Sequence, residues 1–211
     1  VFNPPGVVSI IGHMIDHPTR PKPRFPPLIE AQVREAIIGA INTLNAKIGF
    51  CSLACGSDIL FAEAMANAGG EVNIWLPFDK LDFVEASVSF AGGDWKERFE
   101  RLLERFPPTY ITYEPYAGFD DLFSFQNRVI FGSAVIRSAM NHTEPTLLTV
   151  LSETDLRLKE GGTRDTVSLW PYPGRHININ PDNYFSPSTI APPAVQKEES
   201  KRTYAPIDRP V

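Results

Sequence analysis

The chain has 211 residues, of which 43% are hydrophobic and 21% charged, and a formal net charge of −5. That length suits one domain with a sizeable core, and the acidic balance excludes the broad attraction to nucleic acid or anionic membrane that a basic surface provides. Two cysteines exclude a disulfide scaffold, four scattered histidines do not supply a metal site, and no apolar run reaches spanning length. No N-terminal signal pattern is present, so a cytoplasmic protein without nucleic-acid or membrane partners is expected.

In chain order, Val7–Ile11 reads as a first buried strand ending in Gly12-His13-Met14-Ile15-Asp16. Glycine straight after a strand permits close backbone approach to something bound at the carboxyl end of a sheet. His13 and Asp16 project from this loop, either toward a ligand or to satisfy loop backbone groups. Arg20 and Arg24 stand behind them, as phosphate clamps or as solvated side chains. After the prolines of 18–27, Pro27–Asn45 carries Leu28, Ala31, Val33, Ala36, Ile37, Ala40, Ile41 and Leu44 at helical spacing.

Residues 49–78 are the most informative stretch. An apolar run from Phe50 to Ala54 meets the small-residue corner Cys55-Gly56-Ser57-Asp58. An amphipathic helix is expected over Ile59–Ala68, stopped by Gly69-Gly70, and the apolar run Val72–Leu76 follows. This is the strand–turn–helix–strand unit of a parallel sheet. Gly56 lets the backbone pass close to a ligand, and the N–H groups of Ser57, Asp58 and Ile59 open the helix toward an anion. Alternatively, Ser57 or Asp58 simply caps that helix. Cys51 and Cys55 read as small buried thiols at a strand end.

Further along, Lys80–Phe90 and Asp94–Phe106 read as helices. The second has Trp95, Phe99, Leu102 and Leu103 on one side and Lys96, Glu97, Arg98, Glu100 and Arg101 on the other. That charged side is a solvated face, with Arg98 singled out because its neighbours can aim it at the carboxyl edge of the sheet. Tyr110–Tyr113 is a short strand. Asp121–Met140 is a longer helix with Phe125, Val129, Ala134, Ile136 and Met140 as candidate core, and with Asn127 and Arg128 either exposed or facing a ligand. Thr146–Leu151 is a buried strand, Gly161-Gly162-Thr163-Arg164-Asp165-Thr166-Val167 enters a helix running to Trp170, and Arg175–Ile179 is a last strand. Strands alternating with helices predict an α/β, Rossmann-like, doubly wound and mainly parallel sheet with helices on both faces. The glycine corners at 12, 56 and 161–163 then gather at one edge of that sheet, where ligands bind.

The organisation expected is a nucleotide-binding domain over 1–182 and a proline-rich linker over 183–211, which has no apolar periodicity. The missing initiator Met and the stop inside the linker suggest a domain of a longer protein, with a covalently attached C-terminal module.

Leu53-Ala54-Cys55-Gly56-Ser57-Asp58, then Glu63-Ala64, Gly69-Gly70 and an apolar strand, resemble the Gly-x-Asp corner of the SLOG superfamily, named for the DNA-processing protein A (Smf) and Lonely-guy proteins. Gly161-Gly162-Thr163 is similar to its Gly-Gly-Thr signature, and Gly12-His13-Met14-Ile15-Asp16 resembles a subgroup found beside signalling modules. The resemblance spans roughly residues 6–182 and implies a Rossmann-like domain that binds a nucleotide or an ADP-ribose-like ligand, with no cofactor required and no metal. Dimers are common in the superfamily, so a homodimer is a further expectation.

Other members are phosphoribohydrolases whose motif reads Pro-Gly-Gly-x-Gly-Thr-x-x-Glu. Here Thr166 stands where that motif has its catalytic Glu, and Asp165 comes one position early. One residue on a helix turns a side chain by roughly 100°, which weighs toward binding and against hydrolysis. Should the chain nonetheless cleave its ligand, Asp165 and Glu63 are the carboxylates to consider, with Asp58 a third. Under the binding reading, backbone N–H groups around Gly56-Ser57 and around Gly161, Gly162 and Thr163 hold phosphate oxygens. Asp58 or Asp16 accepts from a ribose hydroxyl, and His13 and Arg164 neutralise ligand charge. Gly56→Val or Gly162→Val is then expected to abolish binding and leave the fold intact.

Overall fold

The structure, a computed structural model, describes residues 4–152 and 163–185, the side chains of 163–165 excepted. Six strands form one sheet: β1 (Gly6–Gly12), β2 (Ala46–Cys51), β3 (Glu71–Leu76), β4 (Thr109–Tyr110), β5 (Thr146–Val150) and β6 (His176–Ile179). Their order is β4-β3-β2-β1-β5-β6, and every neighbouring pair is parallel. The chain steps outward from β1 to β4 and then crosses back to place β5 on the other side of β1. The order of the strands therefore reverses at β1, which makes its carboxyl end the topological switch point.

Both faces of this sheet are covered, as the near-continuous apolar strands require. Along β1, Val8 and Ile10 join one core cluster while Val7 and Ile11 join the other. The first face carries α1 (Glu30–Thr43), α2 (Ser57–Asn67), α3 (Lys80–Ser87) and α4 (Trp95–Arg105), which contribute Ile37, Phe61, Phe83 and Phe99. The second carries α5 (Asp121–Met140), with Ile130, Phe131 and Ala134, and Trp170 just beyond the short α6 (Thr163–Ser168). This is the doubly wound α/β fold expected from the alternating pattern.

Three local expectations are corrected. First, α2 is not amphipathic. Ser57 to Ala62, together with Ala64, Met65 and Ala66, are all buried, because the helix is enclosed by the sheet, α1 and α4. Second, of the α5 residues expected in the core only Ala134 is buried; Gln126, Ile130, Phe131 and Ser138 join it, while Phe125, Ile136 and Met140 are 53, 64 and 68% exposed. The small Ala134 and Ser138 let the helix lie close to β1 and β2, a requirement of packing that apolar periodicity does not register. Third, Arg98 does not reach the carboxyl edge of the sheet. It lies within the helical layer on the first face, bonded to Glu63 of α2 and Glu30 of α1.

Residues 186–211 of the expected linker lie outside the described residues. Among the described residues, no helix is long and apolar enough to cross a membrane.

Candidate functional site

The loop after β1 and the β2–α2 corner are joined backbone to backbone. Gly56 adopts φ 97°, ψ −126°, and a Cβ there would stand 2.7 Å from Ile15 N and 2.8 Å from the His13 carbonyl oxygen. Its lack of a side chain thus makes room for the β1 loop, where the sequence suggested room for a ligand. The His13 carbonyl accepts from Ser57 N at 3.2 Å and from Ser57 Oγ at 3.0 Å, while Ile59 N donates to the Ala54 carbonyl at 3.3 Å. The amides of Ser57 and Ile59, which the sequence offered to an anion, are therefore committed inside the chain.

Asp58 does not cap its helix. Its Oδ2 reaches back across the corner, accepting from Ser52 Oγ and, at 3.3 Å each, from the N–H groups of Leu53 and Ala54. Leu53 needs this support: at φ 118° it is a bulky residue in a region that non-glycine residues rarely adopt. All these bonds converge on Oδ2, and Asp58 lines the wall of a cleft.

That cleft, about 620 Å³ in volume, opens at the carboxyl edge of the sheet beside the switch point. Ile11, Gly12 and Met14 line it from the end of β1, and Ser52, Ala54 and Asp58 from the β2–α2 corner. Phe83, Ala86 and Ser87 come from α3, Tyr116 and Asp120 from the loop between β4 and α5, Phe123, Ser124, Gln126 and Asn127 from α5, and Thr166 from α6. The buried Phe78 anchors the aromatic wall, stacking on Tyr116 at 4.6 Å and meeting Phe123 edge-on at 5.4 Å. Gln126 is fixed by donating its Nε2 to the Trp75 carbonyl. Among the described residues, no Lys, Arg or His side chain lines the cleft.

The residues singled out from sequence thus divide. Gly12 and Asp58 line the cleft, and so does Asn127, while Arg128 is exposed elsewhere on α5. Gly56 and Ser57 shape the corner behind it. His13 is buried beneath the cleft, with Ser152 N 3.5 Å from its Nε2. Asp16 closes the proline-rich loop: its Oδ2 accepts from the N–H groups of Arg24 and Phe25 at 2.8 and 2.9 Å, and its Oδ1 pairs with Arg20 at 3.1 Å. Glu63 faces Arg98 on the outer side of α2. Thr163, Arg164 and Asp165 supply backbone to α6, and Gly161 and Gly162 lie outside the described residues. The aromatic wall was not anticipated. Phe83, Tyr116 and Phe123 belong to three separate segments, and only the crossing of α5 over the sheet brings them together.

Burial is the largest influence on the Asp58 carboxyl and raises its pKa, against the lowering effect of the bonds from Ser52, Leu53 and Ala54. A carboxyl raised by folding holds its proton more tightly folded than unfolded. Its contribution to stability is therefore complete below about pH 3.9 and is lost as pH rises through the folded value. The stability advantage of the parent over Asp58→Asn should accordingly shrink as pH rises above about 4 in urea melts. An advantage that grows with pH would refute this direction.

Burial also pushes the Cys55 thiol up to about 12 and raises Cys51 well above the ordinary range. Both thiols are protonated at neutral pH and neither is poised as a nucleophile. Iodoacetamide should leave both unmodified in the native protein and alkylate both in urea; rapid native labelling of either would contradict the packing.

Comparison of the chain with protein-family models and with curated proteins returns no match.

Proposed function

We propose that this domain binds and senses a nucleotide or nucleotide-derived, ADP-ribose-like ligand in the switch-point cleft. The observation that carries this reading is the cleft's combination of position and lining. It stands where doubly wound sheets bind ligands, and it pairs aromatic rings with a few fixed polar groups. Phe83, Tyr116 and Phe123 suit a planar heterocycle. Asp58 suits a ribose hydroxyl, and it is better placed for that than Asp16, whose two oxygens are engaged in its own loop. The described wall holds two carboxylates, Asp58 and Asp120, and no cation, so it suits the nucleoside half of such a ligand. By the SLOG resemblance, the phosphate end falls to the segment Gly161 to Arg164, which precedes Thr166 in the chain. Strain at Leu53, held by the same carboxylate that meets the cleft, is a feature common at ligand sites.

A thermal-shift screen against AMP, ADP, ATP, cyclic nucleotides, NAD, ADP-ribose and cyclic ADP-ribose variants tests the reading. Ligand at a hundred times its Kd adds about 2.7 kcal/mol of stability. Ala86 is exposed and lines the cleft, so Ala86→Trp fills the space without disturbing the core. At least one compound should raise the parent's Tm, be recovered intact, and lose its effect in Ala86→Trp. No shift across the panel, or a shift unchanged in the variant, would overturn the assignment. A compound recovered cleaved would replace sensing with hydrolysis.

A further inference from the structure

A second concavity, about 350 Å³, lies on the outer surface where α1, α2 and α4 meet, and it shares no lining residue with the cleft. Arg34, Arg98, Arg101 and Arg105 line it, with Glu63 and Asn67. Arg98, Arg101 and Arg105 follow one another at helical spacing along a single stripe of α4, an arrangement of like charges that destabilises a helix.

Two of these charges are neutralised. Arg98, 4% exposed, donates to both oxygens of Glu63 at 2.8 and 2.7 Å and to Glu30 at 2.9 Å, and its guanidinium lies 3.9 Å from the centre of the Trp95 ring. Arg34 donates to Glu30 at 2.6 Å and stands 3.6 Å from Glu63. Two arginines and two glutamates thus form a braced, neutral floor.

The other two charges are not. Among the described residues, Arg105 meets only the Ala66 carbonyl at 3.2 Å and the Phe106 ring at 5.0 Å, and Arg101 has no carboxylate within 4.0 Å. Two unneutralised guanidinium groups therefore face one concavity, in a chain whose net charge is −5.

We propose that this concavity is a binding site for a single phosphoryl group, as free phosphate or as a phosphomonoester. Arg101 and Arg105 clamp it, the Asn67 amide donates a further bond, and the Arg34–Glu30–Arg98–Glu63 floor fixes the geometry. A phosphoryl group of about −1.5 to −2 at neutral pH matches the uncompensated charge, and guanidinium forks suit its oxygens.

The test is thermal melting of the whole chain in inorganic phosphate and in phenyl phosphate, at ionic strength held constant with sodium chloride. The parent should show a saturable rise in Tm, and the rise should persist in Ala86→Trp, which separates this site from the cleft. The Arg101→Gln/Arg105→Gln double variant should melt no lower than the parent without ligand and show no rise. A rise in phosphate alone identifies the free ion, and an equal or greater rise in phenyl phosphate identifies the monoester; either supports the site. No saturable rise beyond the chloride control, or an undiminished rise in the double variant, would overturn it.

Discussion

Gly56→Ala is expected to destabilise the fold by about 3–5 kcal/mol, among the largest effects of a single methyl group in a chain of this size. Two costs add. At φ 97°, ψ −126° the backbone lies where only glycine is comfortable. The new Cβ would also stand 2.7 Å from Ile15 N and 2.8 Å from the His13 oxygen, both backbone atoms that cannot rotate away. Moving them would strain the bonds from Ser57 N and Ser57 Oγ to the His13 carbonyl, which tie β1 to the β2–α2 corner. Circular-dichroism melts should show Tm falling by roughly 10 °C. Gly56→Val should fare worse, so loss of ligand binding in that variant would report a damaged fold, contrary to the expectation that binding alone would suffer. A parent-like Tm for Gly56→Ala would mean that the two loops are not packed together in solution.

Arg98→Ala should destabilise by about 2–4 kcal/mol. The guanidinium is nearly inaccessible and satisfies Glu63 and Glu30 at once, so truncation leaves two carboxylates sharing Arg34 alone. The figure sits below that for a fully buried pair because Glu63 and Glu30 keep 21 and 25% of their exposure and water can reach them. Removing Glu63's charge as well, in Arg98→Ala/Glu63→Gln, should recover part of the loss, since part of the penalty comes from a carboxylate that has lost its main partner. Urea melts of both single variants and the double variant measure this coupling. An Arg98→Ala stability within about 0.5 kcal/mol of the parent would reduce the network to a surface feature.

These expectations show where local pattern sufficed. The strands and most helices were legible because apolar runs, helical periodicity and Gly or Pro punctuation are properties of neighbouring residues. Asp121–Met140 matched α5 at both ends, and Val7–Ile11 lies within β1. The fold class followed, since strands alternating with helices leave few solutions other than a covered parallel sheet. The placement of Gly12 and Asp58 beside a cleft followed as well, because Gly12 ends β1 and Asp58 stands in the first turn of α2 in a βαβ chain.

What each side chain touches was set by contacts distant in sequence. The β1 loop, more than 40 positions from Gly56, turned an expected ligand-facing glycine into a packing contact. On α5 only Ala134 of the expected core residues is buried, and Gln126, Ile130, Phe131 and Ser138 complete the stripe that packs on β1 and β2. Arg98, singled out from its charged face as a candidate for the carboxyl edge, is held instead by Glu30 of α1 and Glu63 of α2. Backbone conformation follows from local propensity and patterning, whereas partnership depends on which segments the sheet order brings together. The residues of one helix and two strands sketched the carboxyl-edge corner, but its aromatic wall and the separate arginine concavity exist only because the whole chain has folded.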